Sequence, residues 1–246
     1  MVLPHSGLGQ AVLRSCGDIF VINLASRPDR LAEFDAQLAR IGLGLGHPQV
    51  HRFDAVRPAD PGQFESIGAR GCFASHLGVL RQALGANAPM ILICEDDLDF
   101  APDVAARLAG LMAGLDAQPW DIFYGFGPQG HTAAGAGLAE IPADTAIRCT
   151  HMLALRHATI KALVPYLEAM MSRPAGHPEG GPMHVDGAYS WFRREHPHLR
   201  TLAAIPAIGV QRSSRTDIAP LSLKDRLPVL RNLVAQARRL RNRMRR

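Results

Sequence analysis

Four acidic residues set the chemistry open to this chain. In Met90 to Phe100, MILICEDDLDF, an apolar run of five residues from Met90 to Cys94 is followed at once by Glu95, Asp96 and Asp97, with Asp99 two positions on. The run is long enough for a strand buried on both faces and too short to argue for a helix. Such a strand carries its carboxylates to the edge of a sheet, where open α/β folds place their ligands. Neighbouring carboxylates repel and raise one another's pKa, so the cluster calls for a hard divalent cation, a basic partner or full solvation.

Other chemistry-bearing residues lie on either side. Arg27 and Arg30 flank Pro28 at a helix start, where basic side chains and free amides meet phosphate or, equally well, simply face water. Ser75 and His76 fall in the pattern Cys72, Phe73, His76, Leu77, Leu80 and Leu84, which predicts a helix from about Gly71 to Leu84. A lone histidine in a helix is more often packed or solvated than reactive. His184-Val185-Asp186 follows the Pro- and Gly-rich stretch 172–183, and a short helix is expected over 187–195, which makes Asp186 also a candidate helix cap.

The elements that must hold these residues alternate between strand and helix. Ile19 to Leu24 reads as a first strand and is followed by a helix with Leu31, Phe34, Leu38 and Ile41 on one face, closed by Gly42, Gly44 and Gly46. A second strand runs from Val50 and ends near Asp54. After the acidic strand come a helix over 102–115, a strand over 120–124, and a Gly-, Ala- and Pro-rich segment over 125–144 expected to be a mobile loop or a small β excursion. Strand character resumes over 147–155, a helix spans 157–171, a strand covers 199–208 with a break at Pro206, and 211–218 reads as a polar loop. The opening strand, turn and helix suit one half of a nucleotide-binding α/β unit, although no G-x-G-x-x-G is present.

The 246 residues carry a formal charge of +5, unevenly spread. Nine Lys or Arg stand against Asp225 alone from Pro220 onward, which leaves the first 219 residues at −3. The division expected is therefore a body over 18–219 and a basic tail over 220–246. In the tail Leu223, Leu227, Leu230, Val234, Ala237, Leu240 and Met244 form an apolar stripe on a basic amphipathic helix, which packs on the body or lies on an anionic membrane surface. Nucleic acid is not an expected partner, because the tail has no aromatic residues for base stacking. No run of roughly 18 apolar residues is present to span a bilayer. Cys16, Cys72, Cys94 and Cys149 are widely spaced and read as reduced, mostly buried thiols; with no compact signal segment, a cytoplasmic location is expected.

In order along the chain, Val21-Ile22-Asn23-Leu24 with Arg27, Asp29 and Arg30, then Phe53-Asp54-Ala55-Val56, Gly71-Cys72 with Ser75-His76, and Ile91 to Asp97 together resemble glycosyltransferase family 25. The likeness continues through Asp121-Ile122, Gly125, Thr150-His151, Val185-Asp186, and Gln211 with Ser214, Asp217 and Ile218. The resemblance implies a GT-A-like, Rossmann-type fold with a mixed, mostly parallel sheet that binds a nucleotide sugar, usually a UDP-hexose, with Mn²⁺ or Mg²⁺. It implies inverting transfer, with galactose the favoured sugar, to a cell-envelope saccharide or glycolipid acceptor such as lipopolysaccharide. Carried over residue by residue, Asp97 would ligate the metal and Glu95 would assist it or contact ribose. Asp96, Asn23, Arg27, Arg30, Asp54, Ser75 and His76 would border the donor. Asp186 would be the base that deprotonates the acceptor, and His184 would complete the metal shell. Asp99 lies outside the matched triplet and is expected to be a solvated or helix-capping acid. The enzyme is expected in the cytoplasm, brought by its basic tail to the inner face of the cytoplasmic membrane; the rival expectation is a non-catalytic protein of the same fold that binds a sugar nucleotide or a membrane surface.

Overall fold

The computed structural model describes residues 5–130 and 137–212. Its centre is the apolar strand read from the sequence, β3 (Met90–Glu95), flanked by β1 (Asp18–Asn23) and β2 (Val50–Asp54) on one side. On the other side follow β7 (Met152–Arg156), β5 (Ile122–Tyr124), β8 (Thr201–Ile205) and β6 (Gly137–Glu140), giving a seven-stranded sheet in the order β2-β1-β3-β7-β5-β8-β6. β1 pairs in parallel with β2 and β3, and β5 with β8; β7 runs against both β3 and β5, and β6 against β8. Five strands therefore share one direction in a mixed, mostly parallel sheet. A separate two-stranded ribbon joins β4 (Leu98–Phe100) to β9 (Gly209–Gln211), antiparallel.

Helices cover the sheet because the strand interiors are apolar on both faces: Ile91 to Cys94 and Ile122 to Tyr124 are all buried. α1 (His5–Cys16) packs against α4 (Val104–Asp116), whereas α3 (Ile67–Gly85) packs against α5 (His157–Ser172) and α6 (Val185–Glu195). α2 (Pro28–Ala39) links β1 to β2 with Pro28 in its first turn and buries Phe34 and Leu38, as its apolar spacing predicts. The segment over 125–144 does make a small β excursion, the edge strand β6; residues 131–136 lie outside the described residues. The four cysteines are free thiols, Cys16 and Cys94 buried and the other two half-buried. Burial pushes the Cys16 thiol up to about 12.

Several boundaries differ from the expectation for physical reasons. The first helix is unexpected, since Gly7 and Gly9 look like breakers. Gly9 is required by contact instead: its amide donates to the Ile41 carbonyl at 2.7 Å, and a Cβ there would lie 2.4 Å from Leu43 Cγ. α3 starts at Ile67 rather than Gly71 because the Ser66 hydroxyl caps it, accepting from the Ala69 amide at 3.0 Å. Gly71 is a point of close approach, where a Cβ would stand 2.6 Å from the Val56 carbonyl oxygen and prise the helix from the end of β2. α6 begins at Val185, so Asp186 sits within its first turn. The expected polar loop over 211–218 starts as strand, with Gln211 in β9, and the residues after Arg212 are outside those described. The amphipathic helix expected over 220–246 also lies outside them.

Candidate functional site

The carboxyl ends of β1, β2 and β3 come level because their pairing register sets Asn23 beside Asp54 and Ile22 beside Glu95. A cavity of about 810 Å³ opens at this edge. Glu95, Asp96 and Asp97 line one wall, Arg30, Gln211 and Arg212 stand near them, and Ser75, Cys72 and Gly71 of α3 face them. This is the ligand edge anticipated for an open α/β sheet. Because β7 runs the other way, its start rather than its end reaches the same edge. The His151 carbonyl there accepts from the Glu95 amide at 3.1 Å, and the Thr150 hydroxyl donates to Glu95 Oε1 at 2.6 Å.

Each of the three acids has a different environment. Asp96 is fully engaged: Asn23 Nδ2 donates to Oδ2 at 2.7 Å and Arg30 Nη1 to Oδ1 at 3.0 Å. Burial nevertheless outweighs Arg30 and Asn23 and raises its pKa. Glu95 is partly buried, which opposes its charge, but His76, the Thr150 hydroxyl and His151 together more than offset this and hold its carboxyl below the ordinary glutamate value. Asp97 receives Arg30 Nη2 and Gln211 Nε2 on Oδ2 at 3.4 and 3.3 Å, while its Oδ1 is buried with no hydrogen-bond partner. Burial first, then repulsion from Glu95 and Asp96, overcomes these donors and pushes Asp97 up to about 7. An orphaned buried carboxylate oxygen on a cavity wall, among hard oxygen donors, fits a divalent cation such as Mg²⁺ or Mn²⁺.

Asp99 corrects the expectation of a solvated or capping acid. It is only 5% exposed, lies in β4, and accepts from Arg212 Nη2 and Nε at 2.6 and 3.1 Å. Arg212 also reaches Glu33 on α2. Arg212 was not a candidate from the sequence, and its only signal was its place next to Gln211.

The other predicted residues divide into those at the cavity and those beside it. Arg30 and Ser75 line it; the Ser75 hydroxyl donates to the Gly71 carbonyl at 2.6 Å and accepts from the Val56 amide at 2.8 Å, tying α3 to the end of β2. Asn23 and His76 stand behind the wall, both buried, with His76 Nδ1 3.2 Å from the Tyr189 hydroxyl. Arg27 pairs with Asp29 at the mouth of α2, and Asp54 with Arg52 in an exposed pair. Asp186 accepts from the Cys149 amide at 2.9 Å and the Gly187 amide at 2.8 Å, holding Cys149 in its left-handed conformation (φ 71°) just before Thr150. His184 is placed 3.1 Å from Glu65, both side chains exposed, and is not among the ligand-capable groups gathered at Glu95.

Residues 17–119 match the family model of glycosyltransferase family 25 (LPS biosynthesis protein), which bears out the resemblance read from the motifs. Among curated relatives, the chain is 29% identical over 125 residues to a human protein named inactive glycosyltransferase 25 family member 3. It is 28% identical over 132 residues to a glycosyltransferase 25 family member of Anopheles gambiae. These matches cover 44% and 45% of this chain but only 21% and 22% of the relatives' own lengths. The matched stretch contains β1 to β4 and all four acids, whereas Thr150, Asp186, Tyr189, Gln211 and Arg212 come from beyond residue 119. No helix among the described residues is long and apolar enough to cross a membrane.

Proposed function

We propose that this chain is an inverting glycosyltransferase of GT-A-like architecture that moves a hexose, galactose by preference, from a UDP-sugar to a cell-envelope saccharide such as lipopolysaccharide. The observation that carries the reading is Asp97: a buried carboxylate whose Oδ1 has no partner, on the wall of an 810 Å³ cavity at the ligand edge of a family-25 sheet. Mn²⁺ or Mg²⁺ would be held by Asp97 with help from Glu95, supplying positive charge to the diphosphate that leaves.

The protein's own groups do the rest. Arg30, paired with Asp96 and Asp97, lines the cavity and would offer its guanidinium to donor phosphate. Asn23 keeps Asp96 fixed, and Ser75 holds the floor of the cavity in place. Ile22, Leu24, Val56 and Ile67 also line the cavity and would give the donor an apolar surface to lie against. Asp186 is the candidate base for the acceptor hydroxyl, oriented by the Cys149 and Gly187 amides. The basic stretch beyond Pro220 would bring the enzyme, from the cytoplasmic side, to a lipid-linked acceptor on an anionic membrane.

A second reading is favoured by the human relative's name, which describes that protein as inactive. Under it, the chain binds a sugar nucleotide and does not turn it over. UDP-galactose, UDP-glucose and their N-acetyl relatives, screened with Mn²⁺ for hydrolysis or transfer, separate the two. Turnover that falls on the order of 100- to 1,000-fold in Asp97→Ala supports the enzyme. Donor binding without turnover, unaltered by Mn²⁺, supports the binding protein. With turnover in hand, Asp186→Asn assigns that residue: lost rate with donor affinity retained makes it the base, and retained rate makes it a positioning group for the Cys149–Thr150 turn.

A further inference from the structure

Behind the acidic wall lies a second set of ligand-capable atoms. Cys72 and His76 are four residues apart on α3, so they share a face of the helix, and Glu95 ends β3 opposite them. The Cys72 sulfur, a ring nitrogen of His76 and a carboxylate oxygen of Glu95 all lie within 4.8 Å of one another. His76 has no exposed surface, yet its Nε2 has no hydrogen-bond partner; it faces Glu95 Oε1 at 3.6 Å, too far for a hydrogen bond. The buried Nε2 thus has the Glu95 carboxylate within ion-pair range but makes no hydrogen bond, in a pocket that also holds the Cys72 thiol.

We propose that Cys72, His76 and Glu95 form a binding site for a borderline-soft divalent cation of the zinc type, which shares Glu95 with the hard-cation position at Asp97 but does not use Asp97 itself. Donors on a tetrahedral zinc with bonds of roughly 2.0–2.3 Å stand roughly 3.3–3.8 Å apart, which accommodates the His76–Glu95 spacing. Thiolate, carboxylate and neutral imidazole also balance a charge of +2. On binding, the Cys72 thiol proton passes to solvent as the sulfur–metal bond forms. The supporting groups are in place: Tyr189 Oη lies 3.2 Å from His76 Nδ1 and can accept a hydrogen bond from Nδ1–H, which leaves the Nε2 lone pair for the metal, and the Thr150 hydroxyl orients Glu95. Cys72 and Glu95 both line the cavity, so a fourth position opens toward whatever occupies it. The site would clamp α3 to the end of β3.

The inference shares Glu95 with the proposed transferase reading, and the test keeps the two apart. Full-length protein stripped by a chelator is titrated with Co²⁺ at neutral pH. The expected result is a sulfur-to-cobalt charge-transfer band in the near ultraviolet, displaced by Zn²⁺. The band should vanish in Cys72→Ser and persist in Tyr189→Phe with affinity lowered about tenfold. It should also persist in Asp97→Asn. No band in the wild-type protein, or a band that survives Cys72→Ser, overturns the site whatever the variants' stability. Asp97-dependent turnover with Mn²⁺ but no band sinks this inference alone. A Cys72-dependent band in a protein without turnover leaves it standing and sinks the transferase reading.

Discussion

Asp97 and Asp99 are buried acids two residues apart, and the fold treats them oppositely. Asp99 receives two guanidinium donors from Arg212, itself anchored to Glu33, so its charge is satisfied within the protein. Asp97 has one oxygen shared between Arg30 and Gln211 at long range and the other left bare beside a cavity. The first arrangement holds the β4–β9 ribbon to the body of the protein. The second leaves an electrostatic cost in place that a proton or a bound cation can remove. Burial of charge therefore does not mark a functional residue; burial without completed pairing at a cavity wall does.

Breaking the satisfied acid should have the larger effect. Asp99→Ala takes from the buried Arg212 its closest carboxylate and leaves Glu33 and the more distant Asp97, and urea unfolding should show a loss of about 3–5 kcal/mol. A loss under about 1 kcal/mol would mean that the ribbon does not depend on this pair, and the contrast with Asp97 would collapse. Asp97→Asn should act in the reverse direction. The folded pKa of Asp97 is about 7 against about 3.9 for an unfolded aspartate, so its favourable contribution is full below pH 4 and is lost as pH rises through 7. The variant should lack that decline and exceed the wild type at pH 8 by on the order of 2–3 kcal/mol, with the difference disappearing near pH 4. Cation binding to the wild type, followed by calorimetry, should weaken about tenfold for each pH unit below 7, because the proton competes for the same oxygen. A flat affinity from pH 5 to 8 would place the cation elsewhere. Least affected should be Asp54→Ala: its pair with Arg52 is exposed, so stability should change by less than about 0.5 kcal/mol. Any large drop in donor affinity in that variant would then report direct contact with the ligand.

The sequence made the acidic strand legible because both its signals are local: an unbroken apolar run and the acids that end it. The family motifs were legible for the same reason, each lying within a few residues. Asp99 was misread because its partner is 113 residues away, and the alternation of β4 is too short to register. The reversed direction of β7, which delivers Thr150 to Glu95, likewise leaves no trace in composition. Gly9 looked like a helix breaker and Gly71 like a helix start; in the structure each marks a spot where a neighbouring backbone comes too close for any side chain. His76 was named from a motif, but its orphaned nitrogen and its Tyr189 neighbour on α6 depend on the packing of three elements distant in sequence.

The ribbon of β4 and β9 also bears on the order in which the molecule is made. Its two strands meet only when more than a hundred intervening residues have been looped back, a closure whose entropic cost must be met before any of its contacts form. Asp97 and Asp99 are therefore expected to acquire Gln211 and Arg212 after β1, β2 and β3 have paired, an order that the refolding kinetics of Arg212→Ala would check. Until then Arg30 on α2 is the cationic partner within reach of Asp96 and Asp97; if a divalent cation binds there as proposed, its presence during refolding should speed the closing of the ribbon.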